Sequence, residues 1–353
     1  MTSIVSAPLI LLSEATIQQN MKYLFGPVNS RRLGLSLGID LMPAKICNYN
    51  CIYCEVGATT RLTCERREYV DTAAVLAEVD DFIRHRETLR PPDVYTVTGS
   101  GEPTLHSEIG RIIRFLKART TRPVAVLTNG SLLHLAEVRE ALTAADIVVP
   151  SLDAARPESF RRVNRPAKCV DLQAAIAGLQ LFRREFAGRL WLEILLVKDI
   201  NDSAADIVAL QEAVRAIAPD RIQLHTVDRP PLEKYAQPVN RAELAAVAQQ
   251  LGKVYDGPVD LPTDFVARPE EGSVPARAQE ILEMLQRRPC TADDVAAALG
   301  FAPEAARRLL EQMESAGQVY AKDHGGAKYY QTRKQPGVGP NETATTKGTA
   351  IKE

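Results

Sequence analysis

Strand-like and helix-like patterns alternate from residue 35 to residue 227, and this succession restricts the fold more than any other feature of the chain. Leu35, Leu37, Ile39 and Leu41 recur at every second position, the period of a strand. Further strands are expected over 94–98, 124–128, 147–151, 190–197 and 222–227, with helical spacing over 72–85, 108–119, 132–142, 172–186 and 203–217. Such succession specifies an α/β fold with a parallel sheet and crossover helices. Six strand units are too few for a closed eight-stranded barrel. An open partial barrel and a doubly wound sheet both satisfy the periodicity.

The first of these strands runs into Cys47-Asn48-Tyr49-Asn50-Cys51-Ile52-Tyr53-Cys54, so three of the chain's six cysteines fall within eight residues. Such crowding speaks against a secreted disulfide framework and for metal or catalytic chemistry in a reducing, cytoplasmic compartment. Iron–sulfur clusters are held by thiolates on short loops of this kind. Three thiolates rather than four leave one iron open, which reactive chemistry requires. Zinc completed by Cys64 or a histidine is the competing reading, but structural zinc pairs two separated cysteine elements and the sequence has no second pair. Cys64, Cys169 and Cys290 read as small buried packing residues. No apolar run reaches the length of a membrane span, and no signal-peptide pattern opens the chain, so no membrane partner is expected.

Other strand ends carry small polar groups, and parallel βα folds gather their ligands at the carboxyl ends of strands. Gly99-Ser100-Gly101-Glu102-Pro103-Thr104 follows 94–98, Asn129-Gly130 follows 124–128, and Ser151-Leu152-Asp153 ends 147–151. Glycines permit close backbone approach, and Glu102 is an acceptor for an ammonium group. The last strand leads through His225 to Arg229-Pro230-Pro231.

Together these motifs resemble the signature of the radical S-adenosylmethionine (radical SAM) superfamily. The resemblance implies a partial (β/α)6 barrel in which Cys47, Cys51 and Cys54 ligate a [4Fe-4S] cluster whose open iron binds S-adenosylmethionine. It implies that Tyr53 lies near the adenine, that Gly99, Gly101, Glu102 and Pro103 meet the amino group, and that Asn129, Ser151 and Asp153 serve the ribose and carboxylate. The implied reaction is reductive cleavage to methionine and a 5′-deoxyadenosyl radical that abstracts hydrogen from substrate. Its electron donor would be a flavodoxin or ferredoxin. Residues 25–34, 99–105 and 229–231 are also similar to the iron–sulfur oxidoreductases grouped with the wyosine-base tRNA enzymes, over about 25–265. The demethylwyosine synthase branch carries further cysteines ahead of the loop, and none precedes Cys47 here. RNA, a peptide and a small molecule are all open as substrate, with Arg31, Arg32, His225 and Arg229 as its candidate contacts. Arg31 and Arg32 read equally well as a phosphate clamp and as a salt-bridged pair.

The domain reading is an extension over 1–22, the radical SAM domain over 23–268, a linker over 269–275, a winged helix-turn-helix over 276–333 and a disordered tail over 334–353. Thr291, Gly300 and Pro303 punctuate the helices of the small domain, and Gly325-Gly326 turns its hairpin. A cluster-bearing redox regulator that reads nucleic acid through this winged helix is the alternative function. Charge argues against it: 43 basic residues oppose 44 acidic ones in the chain, and nine oppose eight over 275–334. Phosphate-dominated binding needs a more basic face.

Overall fold

A computed structural model describes residues 21–30, 33–85, 91–261, 274–300 and 302–332. The expectations for Arg31, Arg32, the first twenty residues, most of the linker and the 334–353 tail fall outside the described residues.

In chain order the strands of the main sheet are β1 (Leu24–Ser30), β2 (Gly34–Asp40), β5 (Val94–Thr98), β6 (Val124–Thr128), β7 (Ile147–Pro150), β8 (Arg189–Leu196), β9 (Arg221–Thr226) and β10 (Val259–Asp260); the two-residue strands β3 (Ile46–Cys47) and β4 (Arg61–Leu62) form a separate pair. The main sheet follows that order from edge to edge. β1 is antiparallel to β2, every other neighbour is parallel, and β1 does not meet β10, so the barrel is open. Every residue of β7 and all but the last of β5 are buried, which is why these segments read as apolar runs. Helices α1 (Thr72–His85), α2 (Ile109–Arg119), α3 (Ala136–Leu142), α4 (Pro157–Val163), α5 (Leu172–Glu185), α6 (Ala204–Ile217) and α7 (Arg241–Leu251) make the crossovers. Ser203 and Asn240 begin α6 and α7 with reciprocal capping boxes.

Two sheet strands and two helices go beyond the expected set. β1 hides its alternation because Gly26 at φ +93° and Pro27 interrupt it, and the register shifts between Phe25 and Val28. β10 has only two residues, below the length at which a period can be recognised. α4 and α7 were not anticipated either.

The C-terminal module comprises α8 (Val274–Arg287), α9 (Ala292–Leu299), α10 (Pro303–Ser315), β11 (Val319–His324) and β12 (Ala327–Thr332), three helices and an antiparallel hairpin. Its core includes Ile281, Leu285, Val295, Leu299, Leu310 and Tyr330, and Cys290 is buried there as a packing residue. Val28 of β1 packs against this core, and Asn29 donates its amide to the carbonyl of Ala297 at 2.6 Å. The module thereby covers the edge that β1 would otherwise expose.

Cys64 and Cys169 overturn their assignment as buried packing residues. They form a disulfide across 105 positions, and Cys169 is exposed. Only the fold brings the two together: Thr63 N–H bonds the Cys47 carbonyl at 3.1 Å and Ala167 N–H bonds the Asn48 carbonyl at 2.8 Å, so both loops flank the cysteine loop. Opening this long loop with Cys64→Ser should cost about 2–5 kcal/mol. Urea midpoints of wild type and variant without reductant test this, and equal midpoints would remove the disulfide from the account.

Candidate active site

Cys47 ends β3, and Cys51 and Cys54 follow on the loop that leaves it, beyond the carboxyl end of β2. Their thiols are free, and Cys47 is buried. Each sulfur has its own donor. Cys47 Sγ accepts from Tyr49 N–H at 3.4 Å and lies 3.8 Å from Asn129 Nδ2. Cys51 Sγ accepts from Asn164 Nδ2 at 3.5 Å, and Cys54 pairs with the Lys45 ammonium. Burial pushes the Cys47 thiol up to about 11 and lifts Cys51 above the ordinary thiol range. Burial alone would lower Lys45, but the sulfurs of Cys54, Cys47 and Cys51 outweigh it and hold the ammonium above its usual range.

Two metal readings compete for this donor set. Zinc completed by Cys64 fails because Cys64 is in a disulfide. Among the described residues, no three His, Cys, Asp or Glu side chains converge on a single ion. Three free thiols on one short stretch of chain are the ligand type and number that suit an iron–sulfur cluster with one open iron. Lys45 adds the positive charge that such an anionic centre favours.

The glycine loop after β5 lies against the cysteine loop. Glu102 N–H bonds the Ile46 carbonyl at 3.0 Å, and a Cβ on Gly101 would stand 1.7 Å from that oxygen. Only glycine allows this approach. Gly101→Ala should therefore force the two loops apart, and iron retained after reconstitution should fall several-fold; unchanged iron content would contradict the close contact. Ser100 is fixed separately, its N–H and hydroxyl both bonded to the carboxylate of Asp40, at 2.9 and 2.6 Å.

Glu102 is 1% exposed and accepts four hydrogen bonds: from Thr104 N–H, the Thr104 hydroxyl and the Thr128 hydroxyl on Oε1, and from Asn129 N–H on Oε2. Burial raises its pKa although those donors oppose it. The carboxylate thus ties the end of β5 to the end of β6. Pro103 begins a single 3-10 turn, Pro103–Leu105, immediately afterwards. Gly99 packs near Met42, on the turn after β2.

Asn129 donates Nδ2 to Asn48 Oδ1 at 2.7 Å and accepts from Ser131. Ser151 N–H bonds the Thr128 carbonyl at 3.0 Å. Asp153 is buried and collects the Tyr53 hydroxyl and Asn164 Nδ2 on Oδ2, both at 2.6 Å, and Leu195 N–H on Oδ1 at 3.0 Å. Burial pushes its carboxyl up to about 6. Asn129, Ser151, Asp153, Tyr49 and Asn164 surround one narrow cavity behind the cysteine loop. The structure thus brings Glu102, Asn129 and Asp153 beside the thiols, with Gly101 against Ile46 and Ser151 on the cavity shared with Asn129 and Asp153. The hydroxyl of Tyr53 is held by Asp153.

Two substrate candidates have other surroundings. Arg229 is only 13% exposed in its side chain and bridges Glu55 at 3.1 Å and Asp294 at 3.4 Å. It joins the cysteine loop to the C-terminal module and has no open guanidinium face for a ligand. His225 stands in β9 opposite Leu195, inside the sheet rather than on a loop. Asn48, Asn164 and Ser131 are site residues the motif reading did not select. Lys45, two residues before Cys47, reads from its position alone as either a charge-tuning residue or an exposed loop lysine, and the structure sets it beside the three sulfurs. Asparagines in loops carry the same signal as turns, so only the fold distinguishes Asn48 and Asn164.

Comparison with known proteins matches residues 41–210 to the radical SAM superfamily and 277–333 to a DeoR-like helix-turn-helix domain. A UPF0026 protein of Helicobacter pylori J99 is 34% identical over 319 residues, 89% of this chain and 98% of its own length. A protein of Brachyspira hyodysenteriae named GTPase Obg is 35% identical over 314 residues, 88% of this chain, and the chain spans 45% of that protein's length. Among solved structures, a radical SAM methyltransferase from Sphaerobacter thermophilus superposes with a TM-score of 0.50 at 19% identity, over 64% of this chain and 65% of that one.

Proposed function

Because the chain belongs to the UPF0026 family and carries a radical SAM superfamily domain, we propose that it is an enzyme that cleaves S-adenosylmethionine reductively and takes hydrogen from an organic substrate. The observation that carries this reading is the set of three free thiols, each with its own donor, beneath the glycine loop and the polar ends of β6 and β7. Cys47, Cys51 and Cys54 would hold the [4Fe-4S] cluster. Held there and reduced by an external donor, a [4Fe-4S] cluster would supply the single electron that reductive cleavage of the S-adenosylmethionine sulfonium requires.

The chain's own residues orient and seal that chemistry. Asn164 and Tyr49 N–H stabilise sulfur charge on Cys51 and Cys47, and Lys45 does so on Cys54. Gly101 gives the β5 loop its close approach, and Glu102 holds that loop and Asn129 in fixed register. Asn129, Ser151 and Asp153 line the polar wall, with Gly99 and Pro103 shaping the turn on either side of Gly101. Tyr53 is positioned by Asp153, which limits the number of ways the loop can pack. A flavodoxin- or ferredoxin-type donor is the class that such a centre needs.

The test adds reconstituted protein, dithionite and S-adenosylmethionine to an anaerobic extract of cells grown in deuterated medium. The 5′-deoxyadenosine formed should carry deuterium from the substrate. Only unlabelled nucleoside, in the amount an extract-free control gives, would contradict hydrogen abstraction.

A further inference from the structure

The C-terminal hairpin forms one wall of a cleft that reaches Cys54. In the β11–β12 register Tyr320 faces Gln331 and Lys322 faces Tyr329, while Tyr330 and Val319 turn to the module's own core. Those four outward side chains line a cleft of about 320 Å³ together with Cys54. That volume lies in the range of small-ligand sites. Pro230 and Pro231 form part of the opposite wall.

Three contacts fix this wall. Tyr329 donates its hydroxyl to the Asp228 carbonyl at 2.5 Å, Arg229 bridges Glu55 and Asp294, and Arg287 stacks 4.2 Å from the centre of the Phe25 ring. The basic groups elsewhere on the module are partly engaged, Arg307 with Glu304 and Lys328 with Glu314. Lys322 is exposed at the cleft and forms no ion pair among the described residues. Beside it, Tyr320 is 38% exposed, and its hydroxyl is anchored on Gln331 Oε1 at 3.0 Å, which leaves a held aromatic face.

We propose that this cleft is the substrate site and that it takes a nucleotide, with a base on Tyr320 and a phosphate at Lys322. The proposal rests on the radical reading above, since Cys54 then puts the ligand beside the reactive centre. A planar face next to an ammonium with no ion pair among the described residues recognises a flat ring bearing an anion, and the cleft's Glu55 is itself paired with Arg229. A peptide would gain from the prolines but has no general need of the lysine. The winged helix is thereby a substrate-recognition wall rather than a reader of duplex DNA.

The test measures binding of the four ribonucleoside monophosphates and of a single-stranded RNA decamer to full-length, cluster-loaded protein, with an acidic tyrosine-containing peptide as competitor class. Saturable binding of a nucleotide probe should weaken about tenfold in Lys322→Ala and about tenfold in Tyr320→Ala. Both residues are exposed, and thermal melts check that the variants fold. Equal affinity for monophosphate and decamer marks a free nucleotide as the source, and tighter binding of the decamer marks RNA; either supports the proposal. No nucleotide binding, binding indifferent to both substitutions, or binding of the peptide alone overturns it. Cleavage of S-adenosylmethionine by the same wild-type sample is scored separately. Cleavage without nucleotide binding overturns the cleft and keeps the radical reading, whereas nucleotide binding without cleavage supports the cleft and fails that reading.

Discussion

Replacing Cys51 by alanine is expected to abolish cluster assembly and to bring 5′-deoxyadenosine formation down to the protein-free background. Cys51 is one of three free thiols on the loop, and its sulfur is oriented by Asn164 Nδ2. With two thiolates left, neither a stable cubane nor an open fourth iron can be held. Iron and sulfide analysis after anaerobic reconstitution, together with the visible absorbance of the cluster, is the measurement. Cys64→Ser serves as the control, because that cysteine belongs to the disulfide and should leave the iron content intact. A Cys51→Ala protein with wild-type iron and cleavage would remove the loop from the account.

The second large effect is expected at Glu102. Glu102→Ala leaves the N–H groups of Thr104 and Asn129 and two hydroxyls without their acceptor in a buried site. A buried donor left without its partner costs about 1–3 kcal/mol, so with four donors affected the loss should be at least about 4 kcal/mol in total. Glu102→Gln keeps the shape and acceptor oxygen and should lose less than half of that. Urea unfolding followed by far-ultraviolet dichroism reports the change as a shifted midpoint at constant slope. A shift worth under about 1 kcal/mol for the alanine variant would mean that Glu102 does not tie the two strand ends.

Much of this site was legible in the residues because local patterns carried it. The cysteine spacing and the small polar residues after successive strands are contiguous in sequence, and a parallel sheet delivers them to one end by construction. Gly101 was readable as a close-approach glycine, although only the Ile46 carbonyl shows what it approaches. The donors Asn48 and Asn164 were not legible, because loop asparagines carry no mark of a long-range partner. The Cys64–Cys169 disulfide depends on two loops 105 positions apart meeting beside the cysteine loop. Arg229 was picked out for its place after the last long strand, but its charge is neutralised by Glu55 and Asp294. The winged helix itself was readable from its caps and glycine turn. That its hairpin would face Cys54 follows from docking against β1, a strand whose alternation Gly26 and Pro27 conceal.

The presence of a helix-turn-helix does not make the chain a regulator. Neutralised pairs such as Arg307 with Glu304 lower the positive field that duplex binding requires, in line with the near balance of charge along the module. Fold alone does not decide function, and here the module's position beside the cysteine loop is the more informative fact.

The central claim is that the three-thiol loop supports reductive cleavage of S-adenosylmethionine. It is tested most directly by incubating anaerobically reconstituted wild-type protein with S-adenosylmethionine and dithionite and separating the products by chromatography. Release of 5′-deoxyadenosine and methionine in equal amounts, dependent on both iron and reductant, is the predicted result. Intact S-adenosylmethionine in the presence of a fully assembled, reduced cluster would contradict it.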